Sequence, residues 1–518
     1  MNFTGFNINF LSKLLAIPLL SGWGYSEQRA RCLSLKSTLV LENTTILDVS
    51  YVSGGSKLKP HGDCVPKVRK YNTPTVATAP LCRVQFSTNT SDTSSIRAEA
   101  WLPDEWYGRV LGIGNGGLGG CISYRDLDYG SALHFATIAS NNGHDGDTGR
   151  PFLGNPEVLN DFAFRSIHVE AVIGKQIVEA YYEQPHDKAY YLGCSTGGRQ
   201  GTQAALNHPA DWDGIIAGAP ATDFNRLLHW SGTLARHLGA PDSSSPSYIS
   251  PASWKLVAEE ILNQCDGIDG VRDGIITEPD ACHFRPEALL CSGTNSEKCL
   301  SIPQVEALRK IYSPLYENGE LIYPRFDPGS EGIRGDLLNG KFPYYTEEWL
   351  KYVVLNVTEF DFSQYGPEHG RLSQELDVGG ISTFNGDFSA FRDRGGKFLT
   401  FHGRVDGLIA SGNSKRLYDL ISRTLMMPSL DDFYRLFLVP GMEHCARGPG
   451  AWAFGQHGGT QGAHNESSHN LLLALVDWVE GGVAPDTITG TAVDGSTRVH
   501  CRYPMRSVWD GSAYRCEA

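Results

Sequence analysis

The segment Gly193-Cys194-Ser195-Thr196-Gly197 limits the fold of this chain more than any other feature, because two different periodic patterns flank it. Before it, the apolar run from Ala189 to Leu192 predicts a buried strand, and after it the residues to Leu206 predict a helix. A G-x-S-x-G sequence at such a strand–turn–helix junction is typical of a nucleophile elbow, where the serine hydroxyl projects from the sheet and the glycines avoid neighbouring backbone. The alternative is a glycine-rich turn that binds phosphate, but the sequence lacks the Walker lysine of that motif.

A serine hydroxyl becomes a nucleophile only when a base removes its proton, and in an α/β-hydrolase the acid and the histidine follow the serine in that order. Two later strands are predicted at Phe398 to Phe401 and at Tyr434 to Val439, and Asp406 follows the first and His444 the second. We therefore predict an α/β-hydrolase fold with Ser195, Asp406 and His444 as a catalytic triad. Two competitors for the roles of base and acid lie close by in sequence, His402 and Glu443.

The oxyanion of a tetrahedral intermediate needs two backbone donors, and the amide of Thr196 is the predicted first one. Hydrolases of this fold take the second from an early loop. The glycine-rich segment Gly114 to Gly120 follows a strand predicted at Val110 to Ile113, so it is the candidate loop. Gly117 is the predicted donor, with Gly116 next. The alternative is a glycine-rich turn that binds nothing.

Two cysteines flank the proposed nucleophile and base. Cys194 directly precedes Ser195, and Cys445 directly follows His444. A disulfide between them would join the two loops and hold the catalytic pair in position. The alternative is that either cysteine pairs elsewhere, since a sequence alone does not fix disulfide connectivity.

Length and charge limit the possible domain organisation of the chain and the classes of partner that it can bind. The chain has 518 residues, with 44 lysines and arginines against 58 aspartates and glutamates, so its formal charge is −14. No basic cluster is available for nucleic acid or an anionic membrane, and no segment reaches the roughly 20 apolar residues of a spanning helix. Alternating strand and helix signals predict a catalytic domain in residues 26–224 and 394–518, and the Pro-, Gly- and Ser-rich segment 225–393 predicts an insertion.

Twelve cysteines, an even number spread along the chain, favour a disulfide framework and therefore an oxidising compartment. Residues 1–25 are a possible signal segment, because Lys13 precedes the apolar stretch Leu14 to Leu20. That stretch is short and contains Pro18, so an ordinary buried segment is the alternative. Four glycosylation sequons also favour a secreted, extracellular protein; they begin at Asn43, Asn89, Asn356 and Asn465.

The insertion contains an acidic loop in which Asp266, Asp269 and Asp273 alternate with glycines. Three carboxylates within eight residues repel one another unless a cation compensates their charge. Oxygen ligands select a hard ion, and this flexible geometry suits structural calcium better than magnesium, whereas zinc would require histidine or thiolate ligands. The alternative is a solvated acidic turn.

The elbow Gly193 to Arg199 with Asp406 and His444-Cys445, together with further motifs, resembles the tannase and feruloyl esterase family, most closely its fungal feruloyl esterase B group. The further motifs span nearly the whole chain: Gly114 to Cys121, Asn141 to His144, Ala217 to Pro220 and Asp477 to Glu480.

The resemblance implies the same triad, a Cys194–Cys445 disulfide, and a lid domain in the inserted segment 225–393. It also implies calcium ligands from the three acidic carboxylates and from the carbonyls of Val271 and Ile275. The remaining cysteines would pair as Cys32 with Cys82, Cys64 with Cys121, Cys265 with Cys282, Cys291 with Cys299 and Cys501 with Cys516.

The implied activity is that of a secreted serine carboxylesterase, a feruloyl esterase, that hydrolyses feruloyl or p-coumaroyl esters of plant cell-wall carbohydrate through an acyl-enzyme. The first alternative is a tannase acting on galloyl esters. The second is a non-catalytic, calcium-stabilised carbohydrate-binding protein, which would keep the cysteines and the acidic loop but has no use for a serine at an elbow.

Overall fold

The computed structural model describes residues 24–59, 75–292, 298–331, 338–460 and 465–518. Nearly all of the possible signal segment, and Cys64 with its predicted disulfide to Cys121, lie outside the described residues. Within those ranges, no helix has the length and hydropathy needed to cross a membrane.

The strands, in chain order, are β1 (Thr44–Val52), β2 (Ser56–Leu58), β3 (Thr75–Ala77), β4 (Leu81–Asn89), β5 (Ser95–Pro103), β6 (Arg109–Ile113), β7 (Ala136–Ser140), β8 (Lys188–Cys194), β9 (Gly214–Gly218), β10 (Leu315–Glu317), β11 (Glu320–Tyr323), β12 (Lys397–Gly403), β13 (Tyr434–Val439), β14 (Thr487–Thr491), β15 (Thr497–Cys501), β16 (Arg506–Trp509) and β17 (Tyr514–Glu517). The helices are α1 (Tyr25–Thr38), α2 (Tyr124–Ala132), α3 (Pro156–Asn160), α4 (Ser166–Tyr182), α5 (Thr196–Asn207), α6 (Phe224–His237), α7 (Pro251–Cys265), α8 (Ile302–Ile311), α9 (Tyr344–Trp349), α10 (Pro367–Leu376), α11 (Ser389–Asp393), α12 (Gly412–Thr424) and α13 (Leu471–Gly481).

A nine-stranded sheet in the order β1-β4-β5-β7-β6-β8-β9-β12-β13 forms the centre of the fold. The strands from β7 to β13 pair in parallel, whereas β1, β4, β5 and β7 pair antiparallel at the other side. Because parallel strands end along one edge, the loops after β6, β8, β12 and β13 meet there. This arrangement confirms the predicted α/β-hydrolase fold.

Helices cover both faces of the sheet and bury its apolar side chains. One core lies between the sheet and a layer formed by α1, α4, α5, α11 and α12. A second core lies on the opposite face, where α2 and α13 pack. The central strands are buried on both faces, which explains why β8, β12 and β13 are near-continuous apolar runs that the sequence reveals.

The segment between β9 and β12 contributes no strand to the central sheet among the described residues. It forms a third core from α6 to α10 that also includes Leu118, Phe152 and Phe162, which precede β8. Its first two helices have 14 and 15 residues, so they are longer than the short helices that the sequence predicts. Phe388 and Phe391 pack in the core of the sheet, and the boundaries at 225 and 393 stay a prediction.

Five of the predicted disulfides are present in the structure: Cys32–Cys82, Cys194–Cys445, Cys265–Cys282, Cys291–Cys299 and Cys501–Cys516.

Candidate active site

Ser195 lies at the sharp turn from β8 into α5, in a backbone conformation that non-glycine residues rarely adopt. Its φ is +66° and its ψ is −121°. The Ser195 amide donates to the Gly218 carbonyl at 2.9 Å, and its own carbonyl accepts the amides of Arg199 at 3.0 Å and Ala221 at 3.2 Å. These three bonds hold the strained turn, as expected for a nucleophile elbow.

The glycine-rich loop after β6 packs directly on the start of α5. A Cβ atom at Gly197 would lie 2.9 Å from the carbonyl oxygen of Asn115, so only glycine fits without displacing that loop. The side chain of Gln200 fastens the same contact, because its Oε1 accepts the Asn115 amide at 2.9 Å and its Nε2 donates to Asn115 Oδ1 at 2.9 Å. The second glycine of the pentapeptide, Gly197, therefore allows the glycine-rich loop to pack against the start of α5.

Asp406 and His444, from the loops after β12 and β13, are hydrogen-bonded to each other. The Nδ1 atom of His444 lies 2.7 Å from Asp406 Oδ2. The other carboxylate oxygen accepts the amides of Leu408 at 2.8 Å and Ile409 at 3.0 Å. Since the carboxylate is an acceptor, the Nδ1 of His444 carries the proton and its Nε2 is left as the basic nitrogen.

The competitor His402 lies behind Asp406 and away from the cavity. Its side chain is fully buried, with Nε2 3.2 Å from Asp406 Oδ2 and 3.0 Å from the Ile409 carbonyl, and Nδ1 2.7 Å from Ser414 Oγ. Burial alone would raise the pKa of Asp406, but the charge of His444 and the hydrogen bonds from both histidines outweigh it and lower that pKa. His402 therefore supports the acid and is not positioned as the base.

The competitor Glu443 lines the same cavity as Ser195 and His444. Burial raises its pKa, and the charge of Asp406 adds to that effect while Arg447 opposes it. It makes no hydrogen bond to His444 within the described part of the chain, whereas Asp406 does. The geometry therefore gives the role of orienting acid to Asp406.

The Cys194–Cys445 disulfide joins the elbow to the histidine loop. Its Cα atoms are 6.1 Å apart, and the bond connects positions 251 residues apart in sequence. In the described residues, no hydrogen bond forms between Ser195 Oγ and His444, although both side chains line one cavity. Such bonds are often long in an empty site and shorten when substrate binds, and the disulfide keeps the pair adjacent in the meantime.

Two backbone amides beside Ser195 have no partner among the described residues, those of Thr196 and Gly117. The first begins α5, where helix geometry leaves the amide without an internal acceptor. Gly117 has a φ of +61°, and a Cβ at this position would lie 2.9 Å from the hydroxyl oxygen of Tyr345. Gly116 also lines the cavity, so the predicted order of the two glycines stays untested.

The hydroxyl of Thr196 makes a contact that the sequence does not reveal. It donates to the carbonyl oxygen of Gly117 at 2.6 Å, while His144 Nε2 donates to the carbonyl of Leu118 at 2.8 Å. Both bonds fix the orientation of the peptide units in the glycine-rich loop. Thr196 thus couples the turn of the nucleophile to the loop that carries the second predicted oxyanion donor.

The cavity in front of Ser195 has a volume of about 880 Å³. One part of its lining is apolar and comes from α6, α9 and the loop after Asp406, as Phe224, Leu227, Leu228, Tyr344, Tyr345, Leu408 and Ile409. The other part is richer in polar groups and comes from α2, the loop after β7 and the segment 443–460, as Arg125, Asp147, Glu443, Arg447, His457 and Thr460.

None of these lining residues was predicted, apart from Glu443. They come from separate segments of the chain and share no motif or spacing, so the sequence carries no signal that would have identified them.

The acidic loop lies apart from this cavity and turns tightly on itself. Each carboxylate accepts one backbone amide of the loop at 3.0 Å: Asp266 from Gly274, Asp269 from Val271, and Asp273 from Ile275. Burial raises the pKa of Asp266, and repulsion from Asp273 and Asp269 adds to it. A set of oxygen donors that repel one another fits a hard cation such as calcium, and Cys265–Cys282 closes the loop.

We predict that Thr196→Val lowers the kcat for an aryl ester about fivefold to tenfold with little change in KM, because it deletes one hydrogen bond that orients the glycine-rich loop. Steady-state kinetics measure both constants. Thr196→Ser keeps the hydroxyl and is the matched control, which should retain most of the kcat. Equal kcat values in wild type and Thr196→Val would contradict the coupling.

Comparison with known proteins places this site in a family. The family model described as "Tannase and feruloyl esterase" matches residues 82–518. A protein named probable feruloyl esterase B-2 from Aspergillus flavus is 47% identical over 446 residues, which cover 83% of this chain and 85% of the relative.

Two solved structures share the architecture. The crystal structure of feruloyl esterase B from Aspergillus oryzae is 40% identical and aligns with a TM-score of 0.90 over 95% of this chain and 100% of that one. Tannin acyl hydrolase from Aspergillus niger is 21% identical, with a TM-score of 0.76 over 95% of each chain, and shows a shared fold. The chain therefore belongs to the tannase and feruloyl esterase family and is a carboxylic ester hydrolase.

Proposed function

We propose that this protein is a secreted serine esterase that hydrolyses feruloyl or p-coumaroyl esters of plant cell-wall carbohydrate through an acyl-enzyme. The observation that carries the proposal is the cavity at Ser195, whose lining combines apolar side chains from α6 and α9 with polar and charged side chains from other segments. Such a cavity suits an ester that joins an aromatic acid to a sugar. The name of the relatives, feruloyl esterase B, supports the same reading.

In the proposed first half of the reaction, Ser195 Oγ attacks the ester carbonyl carbon while His444 Nε2 takes the hydroxyl proton. Asp406 keeps the imidazole in the required tautomer and stabilises the imidazolium that forms. The carbonyl oxygen becomes an oxyanion that accepts hydrogen bonds from the amides of Thr196 and Gly117. His444 then gives its proton to the sugar oxygen, the ester C–O bond to the sugar breaks, the sugar leaves as an alcohol, and the aromatic acyl group stays bound to Ser195 Oγ as an ester.

In the second half, the same groups act on water. His444 removes a proton from a water molecule, whose oxygen attacks the acyl carbon, and the oxyanion again lies at the two amides. Collapse of this intermediate breaks the bond to Ser195 Oγ, which regains its proton from His444. The aromatic acid leaves and the free enzyme is restored.

The apolar lining favours a hydroxycinnamoyl group over a galloyl group. Phe224, Leu227 and Leu228 of α6 are at most 6% exposed and offer no hydrogen bond from their side chains. A galloyl ring carries three hydroxyls that need partners once buried, whereas a feruloyl ring carries one hydroxyl and a methoxy group. The remaining polar groups on this side of the cavity are the hydroxyls of Ser231 on α6 and of Tyr344 and Tyr345 on α9.

Two observations support an extracellular location. The five disulfides of the described residues are typical of an oxidising compartment. All four sequon asparagines are exposed, so each is accessible to a glycosyltransferase.

We also propose that the acidic loop binds a structural calcium ion. The carboxylates of Asp266, Asp269 and Asp273 and the carbonyls of Val271 and Ile275 would hold it, and the ion would neutralise their mutual repulsion. The loop joins the end of α7 to Cys282, so its role would be to stabilise the inserted segment.

The esterase proposal predicts hydrolysis of methyl ferulate and methyl p-coumarate at a kcat/KM at least about tenfold above that of methyl gallate. A fluorophosphonate should label the wild type at one site, and Ser195→Ala should lose both labelling and hydrolysis. Ser37→Ala removes an exposed serine that does not line the cavity and is the control, expected to keep both. Preference for methyl gallate would replace the proposal with a tannase, and a folded but unlabelled wild type would favour a non-catalytic binding protein.

The calcium proposal predicts a lower melting temperature in EGTA, recovered on adding Ca²⁺ but not Zn²⁺, because the folded state loses a bound ligand. Differential scanning calorimetry measures the shift. Asp269→Asn with Asp273→Asn should abolish the response, and Asp432→Asn, an exposed change elsewhere, should preserve it. A melting curve that chelator leaves unchanged would contradict calcium binding.

A further inference from the structure

Two histidines and an aspartate meet on the face of the fold that the proposed reaction does not use. One ligand atom from each of His168, His208 and Asp211 lies within 4.8 Å of the others. His168 is on the first turn of α4, and the other two follow the end of α5. Since α5 begins beside Ser195 and has 12 residues, His208 lies about 18 Å from the nucleophile along the helix axis.

The backbone already fixes two of these residues relative to each other. Asp211 N donates to the carbonyl of His208 at 3.0 Å, which closes a four-residue turn with Pro209 at its second position. Lys175, two turns along α4 from His168, donates to the backbone carbonyl of Asp211. That bond holds the turn against α4, and in the described residues the ammonium group makes no hydrogen bond to the Asp211 carboxylate.

The three side chains are in direct contact with one another. His168 Nδ1 lies 2.8 Å from Asp211 Oδ2, and the rings of His168 and His208 are stacked with centroids 3.9 Å apart and planes 12° from parallel. A His168–Asp211 pair alone would be enough to fasten α4. It does not account for His208, whose ring makes no hydrogen bond within the described part of the chain.

We propose that His168, His208 and Asp211 form a binding site for a divalent transition-metal ion of the Zn²⁺ class. Two imidazole nitrogens and one carboxylate oxygen are ligands that Zn²⁺ prefers, at about 2.0 to 2.2 Å. Ligand atoms around a tetrahedral ion at these distances lie about 3.4 Å apart, so the rings of His168 and His208 must turn out of their stacked arrangement for both to bind it. A water would complete the tetrahedral set, and the half-exposed histidines leave room for it.

The ion would tie α4 to the turn between α5 and β9. This role is structural, because the site is at the end of α5 opposite the elbow. It is also separate from the acidic loop, whose donors are all oxygen atoms and select a different class of ion.

The test is Zn²⁺ binding to the full chain after dialysis against chelator, by isothermal titration calorimetry in the presence of Ca²⁺ to fill any oxygen-ligand site. His208→Gln removes the ligand that takes no part in the His168–Asp211 pair, so the fold is retained. His186→Gln removes another half-buried histidine outside the cluster and is the matched control. We expect the wild type and His186→Gln each to bind one Zn²⁺ ion. His208→Gln should bind Zn²⁺ at this site at least about tenfold more weakly.

The melting temperature gives a second, independent readout. Zn²⁺ should raise it for the wild type and for His186→Gln but not for His208→Gln, and all three should hydrolyse esters at equal rates. Identical Zn²⁺ affinity and stoichiometry in wild type and His208→Gln would overturn the site, as would a wild type that binds no Zn²⁺. Failure of the esterase proposal would appear instead as an inactive wild type and leaves this result unaffected.

Discussion

The Cys194–Cys445 disulfide is the constraint on which the arrangement of this site depends. A nucleophile at the end of β8 and a histidine after β13 are separated by two intervening strands, β9 and β12, and by 251 residues of chain that include the whole inserted segment. The chain-entropy model gives roughly 5 kcal/mol of stabilisation for closing such a loop. The effect on geometry is more specific, because the bond lies directly beside both reactive residues. It therefore limits how far Ser195 and His444 can move apart when the inserted segment moves.

A second set of contacts prepares the site for developing negative charge. The Thr196 hydroxyl and His144 hold successive carbonyls of the glycine-rich loop, and the close approach of Gly197 to Asn115 leaves no gap between that loop and α5. The amides of Thr196 and Gly117, which have no partner in the part of the chain that the structure describes, therefore stay oriented before substrate binds. In such an arrangement electrostatic stabilisation of the oxyanion requires no reorganisation. The acid is prepared in a similar way, since four hydrogen bonds to Asp406 keep its carboxylate ionised although it is buried.

The sequence predicts the parts of this structure that rest on strong local patterns. The strands β6, β8, β12 and β13 are buried on both faces and therefore appear in the sequence as apolar runs. The elbow is predictable because its steric requirements are met by glycines at fixed positions within five residues. The antiparallel strands β1, β4 and β5 were not identified, because their side chains include buried charged residues such as Arg83 and Glu99 that pair with each other across the strands. The cavity lining and the support of Asp406 by His402 depend on contacts between distant segments, which neither spacing nor periodicity records.

The most direct test of the account is the kcat for methyl ferulate after Cys194 and Cys445 are both replaced by alanine, measured together with far-ultraviolet circular dichroism. The account predicts a kcat at least about tenfold lower, since misplacing the reacting groups is costly, with the spectrum of the folded protein unchanged. Replacing Cys501 and Cys516, a disulfide of the C-terminal strands, should leave the kcat near that of the wild type. Full activity in the Cys194→Ala, Cys445→Ala protein would contradict the claim that this bond holds nucleophile and base together.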